Sequence, residues 1–370
     1  MKTTTEVNIP GSTTSSEVSL PRMLVGLVIL GITGVVFWLG FRFLRDSTAP
    51  QLITALIAII WGVGGVAALF TGANMLVESF SGDWQRRIQP YVFVGPAVAM
   101  LSWFLFIPTL RTLWQSFFDA SSTRFVGLDN YVATFTDRQM LLSFRNNLIW
   151  LVIGTGACVV LGLLIAVLAD RSKFETLAKA LIFMPMAISF VGAGVIFRFI
   201  YAAAPAGEPQ IGLLNSIVVG MGGKPQTWLQ WSQPWNNMFL IIVLIWMQTG
   251  FAMVIFSAAL KSVPDDLLEA ARIDGATEID IFLKIIIPYI KGTIITVTTT
   301  IAIFTLKIFD VVQVMTGGQF GTDVVATQFF RQFFVSRNFG YGSAIAIVLF
   351  IAVLPVMIYN LRQLRNQEAF

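Results

Sequence analysis

The sequence lacks histidine altogether and contains a single cysteine, Cys158, which lies inside an apolar run. Without histidine there is no Ser–His triad and no HExxH zinc site. One cysteine cannot form an internal disulfide, so we interpret Cys158 as a small buried hydrophobic residue. The chain is therefore predicted to have no catalytic residue and no metal site.

Charged residues are also scarce, at 12% of the 370 residues, against about 25% in an average soluble domain. Hydrophobic residues make up 56%, and the mean hydropathy is +0.78. A chain this apolar has too little polar surface to stay in water, so we predict that lipid is its solvent. The net charge of +4 is typical of a polytopic protein with basic loops and does not indicate nucleic-acid binding.

The phosphate-binding pattern GxxxxGK[ST] is missing as well. The nearest string, GGKP at 222–225, has neither the upstream glycine nor the final Ser or Thr. We therefore expect this chain to bind no ATP and no magnesium, and no cofactor is predicted for it.

Long apolar runs, by contrast, are frequent. A helix that crosses the hydrocarbon core needs about 20 mostly apolar residues, and its backbone polar groups must be satisfied internally. Eight runs qualify, near residues 23–43, 51–74, 91–114, 147–169, 177–201, 239–260, 285–308 and 341–361. The predicted fold class is therefore all-α, a polytopic membrane protein with eight transmembrane helices. Residues 1–22 are predicted to be a disordered cytoplasmic tail, not a signal peptide.

Basic residues flank the spans on both sides in similar numbers, so the positive-inside rule discriminates little. Short connections weigh most in that rule, and those at 75–90 and 170–176 favour one set as cytoplasmic. That set is Arg86, Arg87, Arg171, Lys173, Lys179, Arg362 and Arg365. The opposite set is Arg42, Arg45, Arg124, Arg138, Arg145, Arg331 and Arg337. With eight spans, both termini are then predicted to be cytoplasmic.

A Pro/Gly-rich stretch from Pro205 to Pro234 separates the fifth and sixth spans and contains Trp228, Trp231 and Trp235. One interpretation is an aromatic belt at the membrane interface. The other is a contact surface for an external partner. The sequence leaves both interpretations open.

The connection at 261–288 has the pattern of a short helix, a sharp break and a second helix. Ser262 is predicted to cap the first helix, whose dipole Asp265 complements. Gly275 permits a left-handed turn, and Thr277 is predicted to cap the second helix.

The first of these helices is amphipathic, with a narrow apolar face formed by Leu267, Leu268 and Ala271. Such a helix can lie flat on lipid or dock into a groove of another protein. Small residues at Ala270 and Ala271 permit close backbone approach, which favours docking.

The same connection resembles the EAA motif of ABC importer permeases, which reads EAA, three residues, G, nine residues, I-x-L-P. The residues at the matching positions are Glu269, Ala270, Ala271, Gly275, Ile285, Ile287 and Pro288. The one departure is Ile287 in place of leucine, which keeps the apolar character. Asp274 and Ala276 complete the DGA form of the sugar-transporter branch.

Further segments resemble carbohydrate permeases: FVGLDNY at 125–131, GLLN at 212–215, TGG at 316–318 and FGYGSA at 339–344. Together they cover roughly residues 90–365 and are most similar to permeases for α-glucosides and glucosylglycerol. The resemblance implies a six-helix core, 90–370, and two accessory N-terminal helices within 23–89, as in the larger maltose-type permease.

The family resemblance also implies partners. These are a second homologous permease, an ABC ATPase dimer that binds ATP and magnesium, an extracytoplasmic solute-binding protein, and the lipid of a bacterial inner membrane. The substrate would be a sugar or glycoside, carried by alternating access. The residues implied in coupling to the ATPase are Glu269, Ala270, Ala271, Asp274, Gly275 and Pro288.

Offsets from the EAA and TGG segments place the family's sugar contacts near Gln248, Phe251, Phe304 and Thr305. An aromatic ring, an amide and a hydroxyl suit a glycoside. Phe251 and Thr305 differ from the maltose-type residues, which implies a different substrate. The alternative function is a secondary sugar transporter driven by an ion gradient, which usually needs ionisable groups near mid-membrane and repeated halves.

Overall fold

The structure is a computed structural model that describes residues 19–80, 82–205 and 207–367. The predicted tail at 1–22 lies outside these residues except for its last four. Every regular element in the described ranges is helical, apart from an isolated antiparallel bridge between Phe118 and Phe125. The all-α prediction is confirmed.

The chain forms two compact units that meet in sequence at Leu110 and Arg111. The first unit contains helix α1 (Leu20–Asp46), helix α2 (Gln51–Glu78) and most of α3 (Gly82–Gln115). The Trp61 indole donates to the Val36 carbonyl oxygen at 2.9 Å, which ties α2 to α1. Most of the apolar surface of α1 and α2 is exposed, as expected of helices that face lipid.

The second unit contains twelve named helices within the described residues. They are α4 Asp129–Thr136, α5 Arg138–Asp170, α6 Glu175–Ala187, α7 Phe190–Ile200, α8 Leu213–Gly220, α9 Trp235–Leu260, α10 Asp265–Ile273, α11 Glu278–Tyr289, α12 Lys291–Leu306, α13 Asp310–Met315, α14 Val325–Phe330 and α15 Phe339–Gln367.

Helix α9 forms the centre of the second unit. In its most apolar stretch 61% of the residues are buried, whereas no other unbroken span exceeds 28%. Its side chains pack against α5, α7, α12 and α13 in one continuous core. Cys158 lies fully buried in that core, which confirms the interpretation of this residue as a small hydrophobe.

Two of the predicted spans are bent. The α6–α7 pair turns by 100° at residues 188–189, and the α11–α12 pair turns by 68° at Ile290. The Ser189 hydroxyl accepts the Gly192 amide at 3.0 Å, so α7 has its own cap and starts afresh after the bend. Within the described ranges, six unbroken helices are long and apolar enough to cross a membrane, and the number is eight if each bent pair is one span.

Two long helices widen by one π turn just before a proline. The Ile107 amide donates to the Ser102 carbonyl before Pro108, and the Ile287 amide donates to the Phe282 carbonyl before Pro288. Proline has no N–H, and its ring crowds the carbonyl four residues earlier, so the turn opens to a five-residue spacing. In α11 this π turn lies directly ahead of the bend at Ile290.

Candidate functional site

The connection between α9 and α11 folds as the predicted helix, break and helix. Helix α10 is capped at Pro264, so the prediction that Ser262 is the cap was wrong. The Ser262 hydroxyl donates backwards to the Ala259 carbonyl at 2.7 Å, because the serine still belongs to the end of α9. Asp265 and Asp266 occupy the first turn of α10, as predicted from its dipole.

The break at Gly275 has the expected left-handed conformation, with φ at +83°. The Gly275 amide donates to the Arg272 carbonyl at 3.1 Å, and the Ala276 amide donates to the Ala271 carbonyl at 3.0 Å. This pair of bonds is the Schellman ending of a helix. The Thr277 hydroxyl then accepts the Asp280 amide at 3.2 Å, which confirms its role as the cap of α11.

A small apolar cluster fixes α10 to the rest of the second unit. Val263 and Ile290 are buried together with Ala259, and Leu268 of α10 packs against them. The Tyr289 hydroxyl donates to the Ser262 carbonyl at 3.2 Å, which closes the connection on itself. One face of α10 is therefore held, and the opposite face is left open.

The open face carries most of the residues predicted to couple to an ATPase. Glu269, Ala270, Asp274, Gly275 and Pro288 are exposed, and Ala271 is half-buried. Beside them the apolar side chains of Ile273 and Ile279 are 86% and 72% exposed.

Acidic groups surround these apolar side chains on α10 and the start of α11. Arg272 pairs with Glu278 across the Gly275 break at 2.8 Å, and this carboxylate raises the pKa of the Arg272 guanidinium. Glu269 forms no ion pair within the described chain. Exposed apolar side chains with polar groups around them mark a surface that can contact another protein or a membrane.

A charged cluster at the base of this connection was missed by the sequence reasoning. The Lys179 ammonium lies 2.5 Å from carboxylate oxygens of both Asp170 and Glu175, and Glu175 also pairs with Lys261. These residues join the end of α5, the start of α6 and the end of α9. The available signal in the sequence is the group of charged residues at 170–179, which follows the apolar run at 147–169.

The predicted substrate contacts lie on two helices that pack together, α9 and α12. Gln248 is buried and makes no side-chain hydrogen bond within the described residues, while Phe251 is half-buried one turn further on. On α12, Phe304 is 48% exposed, whereas Thr305 is fully buried. The Thr305 hydroxyl donates to the Ile301 carbonyl at 2.9 Å and lies 3.3 Å from the Thr155 hydroxyl.

The four residues are thus not equivalent. Gln248 offers an uncommitted amide, and Phe304 offers an exposed ring. The Thr305 hydroxyl is engaged inside the chain in this conformation. Their role in binding a substrate stays a prediction.

The loop at 316–324, between α13 and α14, is held by a buried polar network that the sequence reasoning did not find. Asp323 accepts two bonds from Arg331, both at 2.9 Å, and one from Gln328 at 3.0 Å. The Asn146 amide donates to the carbonyls of Gly321 and Asp323 at 2.7 and 2.8 Å. The available signal was the occurrence of Asn146 at the edge of an apolar span, where polar residues are rare.

Comparison with known proteins agrees with this architecture. Residues 158–366 match the family described as binding-protein-dependent transport system inner membrane component. The osmoprotective compounds uptake permease protein GgtC of Synechocystis is 54% identical, over 75% of this chain and 99% of its own length. The alpha-glucoside transport system permease protein AglF of Rhizobium meliloti is 45% identical, over 86% of this chain and 98% of its own.

Among solved structures, a subunit of the bacterial alginate ABC transporter in complex with an alginate pentasaccharide-bound periplasmic protein has the same fold. The TM-score is 0.66 at 19% identity, over 75% of this chain and 94% of that one.

The fold and the α10 connection define a membrane-embedded permease subunit of an ABC importer. The chain belongs to the family of binding-protein-dependent transport system inner membrane components and is a multi-pass membrane protein. The resemblance stated from its sequence motifs is thereby confirmed. The gradient-driven secondary transporter is not favoured.

Proposed function

We propose that this permease imports a glycoside, and that the solute is an α-glucoside or a glucosylglycerol-like osmoprotectant. Two relatives at 45% and 54% identity carry the names of an alpha-glucoside permease and an osmoprotective compounds permease. The exposed ring of Phe304 and the uncommitted amide of Gln248 supply the stacking surface and the hydrogen-bonding group that a sugar needs.

The open face of α10 is proposed to dock into a cleft on an ABC ATPase dimer that binds ATP and magnesium. The observation that carries this proposal is a helix held on one side by Leu268 and left open at Glu269, Ala270 and Asp274 on the other. The bend at Gly275 and the Pro288 turn join α10 to α12, so a push on α10 reaches the helix that carries Phe304. This chain itself would catalyse nothing.

The remaining parts of the proposed assembly follow from this docking. The ATPase is cytoplasmic, so α10 and both chain termini would be cytoplasmic, and the loop between α7 and α9 would face the solute-binding protein outside. Residues 90–370 would form the core that pairs with a second homologous permease. Residues 23–89 would be accessory helices.

The coupling proposal is tested with a tagged chain purified from its native membrane in mild detergent, using Gly275→Trp. Wild type is expected to co-purify with a P-loop ATPase and a second EAA-bearing permease, and the variant is expected to lose the ATPase. Gly222→Trp is the matched control, because Gly222 also has φ at +83° and open space around its Cα but lies in the opposite loop. An ATPase retained equally by both variants would contradict the docking role of α10.

The substrate proposal is tested with the assembled transporter in proteoliposomes. Labelled trehalose, sucrose and glucosylglycerol are supplied with the cognate binding protein and internal ATP. We expect uptake of at least one of these solutes. This uptake should stop without ATP and continue in the presence of an ionophore. Uptake that survives ATP depletion and collapses with the ionophore would instead support a gradient-driven carrier.

A further inference from the structure

A cavity of 390 Å³ with polar and apolar walls lies at the C-terminal end of α7, beside the loop that leads to α9. This size falls within the range of small-molecule pockets. Its walls come from Arg198 and Tyr201 on one side, and from Thr227, Trp228 and Gln230 on the other. None of these residues belongs to the α10 connection or to the predicted substrate contacts.

The two walls are fixed to each other by the GLLN segment. Asn215 is fully buried, and its amide donates to the carbonyls of Ala202 and Gln226, both at 2.9 Å. Its carbonyl oxygen accepts the Gln226 amide at 2.8 Å. Gly212 allows this closure, because a Cβ there would lie 2.1 Å from the Ala202 carbonyl oxygen. The cavity is therefore formed before any ligand arrives.

The aromatic side of the cavity belongs to a ring cluster. Tyr201 and Trp228 each lie against Phe239, with ring centroids 5.4 and 5.3 Å apart. The Trp228 indole N–H is buried and has no hydrogen-bond partner in the described chain.

The polar side of the cavity carries hydrogen-bond donors that have few acceptors within the chain. Arg198 makes one long contact, 3.4 Å from its guanidinium to the Val314 carbonyl, and no carboxylate lies within 4.0 Å of it among the described residues. The Gln230 side chain makes no hydrogen bond there. Aromatic faces beside an unpaired guanidinium and an amide match the alternating apolar faces and hydroxyl groups of a saccharide.

We propose that this cavity is a saccharide-binding subsite, in which Tyr201 and Trp228 contact the sugar ring while Arg198 and Gln230 donate to its hydroxyl oxygens. This inference rests on the proposed glycoside import. The subsite is separate from the predicted contact at Gln248, which lies nine residues, about 14 Å, along α9 from Phe239, the residue that both cavity aromatics contact. It would hold a sugar released by the binding protein before the sugar enters the membrane path.

The test uses the assembled transporter in nanodiscs with 5-fluorotryptophan in this chain, and trehalose as the probe. The fluorine resonance of residue 228, assigned with Trp228→Phe, is expected to shift saturably with trehalose and not with mannitol. Arg198→Gln and Gln230→Ala are each expected to raise the half-saturating trehalose concentration about fivefold, the value of one lost hydrogen bond. Gln226→Ala is the matched control in the same loop, because the Gln226 side-chain amide contacts only the Lys224 carbonyl and its backbone bonds to Asn215 are kept, so the titration should be unchanged.

The outcomes separate this proposal from the proposed function. Glycoside uptake in proteoliposomes without any shift at residue 228 would overturn the subsite and leave the import function standing. If the resonance shifts on addition of the sugar-free binding protein and does not shift with trehalose, the cavity is a contact site for that protein, and the saccharide subsite is overturned too. If no glycoside is transported and none shifts the resonance, both proposals fall.

Discussion

Two segments near opposite ends of α9, the connection at 261–288 and the loop at 316–324, differ in the contacts that hold them. The connection at 261–288 has surface ion pairs, exposed isoleucines and one small apolar anchor at Val263. The loop at 316–324 is tied from inside by Asp323 and Asn146, and the Asn236 amide at the start of α9 donates to the Phe320 carbonyl at 2.8 Å. Helix α9 has 26 residues, so the two connections are separated by about 39 Å.

The difference indicates which connection is complete within this chain. The buried side chains of Thr316, Thr322 and Asp323 find partners among the described residues, so that loop is part of the permease's own architecture, and the Asn146 Oδ1 is the buried atom of the network without one. The open face of α10 keeps apolar and acidic side chains in solvent, where they stabilise nothing. Exposed apolar side chains rimmed by polar groups are a feature of surfaces that contact another protein or a membrane.

The largest effect on stability is expected at Asp323. Asp323→Asn should lower the stability of the chain by about 3 kcal/mol, because it replaces an acceptor that faces three donors and leaves Arg331 without its counter-charge. The measurement is a urea titration of maleimide labelling at Cys158, the sole and fully buried thiol, read on the separated permease band. A labelling curve equal to wild type would show that the network adds nothing to stability.

A smaller effect is expected at the cap of α11. Thr277→Ala removes the hydroxyl that accepts the Asp280 amide and should destabilise the chain by about 1 kcal/mol. Thr277→Ser keeps the hydroxyl and should restore most of that loss. Ser262→Ala is the matched control, since its hydroxyl bonds back to α9 and caps no helix. The same Cys158 labelling assay applies, and a larger loss from Ser262→Ala than from Thr277→Ala would contradict the assignment of the cap.

The smallest effect on folding is expected at Glu278. Both side chains of its pair with Arg272 are about half exposed, so Glu278→Gln should leave the Cys158 labelling curve unchanged within error. It removes one acidic group from the face proposed to meet the ATPase, so coupled ATP hydrolysis is the readout expected to change. Loss of stability without any change in ATPase activity would reverse the contrast between the two connections.

The features of the α10 connection that depend on neighbouring residues were predictable from the sequence, and the long-range contacts were not. Gly275 and Thr277 act on their immediate neighbours, so their residue types indicated the turn and the cap. Ser262 has a residue type that is common at helix caps, but its hydroxyl donates to the Ala259 carbonyl at the end of the preceding helix. The network around Asp323 joins residues up to 177 positions apart, and no local pattern carries that information. The bend at Ile290 was not predicted, because an apolar run indicates that a segment lies in the membrane but does not indicate whether its helix axis is straight.

The GLLN clamp has a consequence for how this outer loop can change in evolution. Asn215 and Gln226 secure the walls of the cavity from both sides, so the chain between them can vary without altering the cavity. Residues 220–224 lie at its exposed tip, where small polar loops tolerate insertions. This tip is therefore where relatives can acquire extra sequence without altering the walls of the cavity.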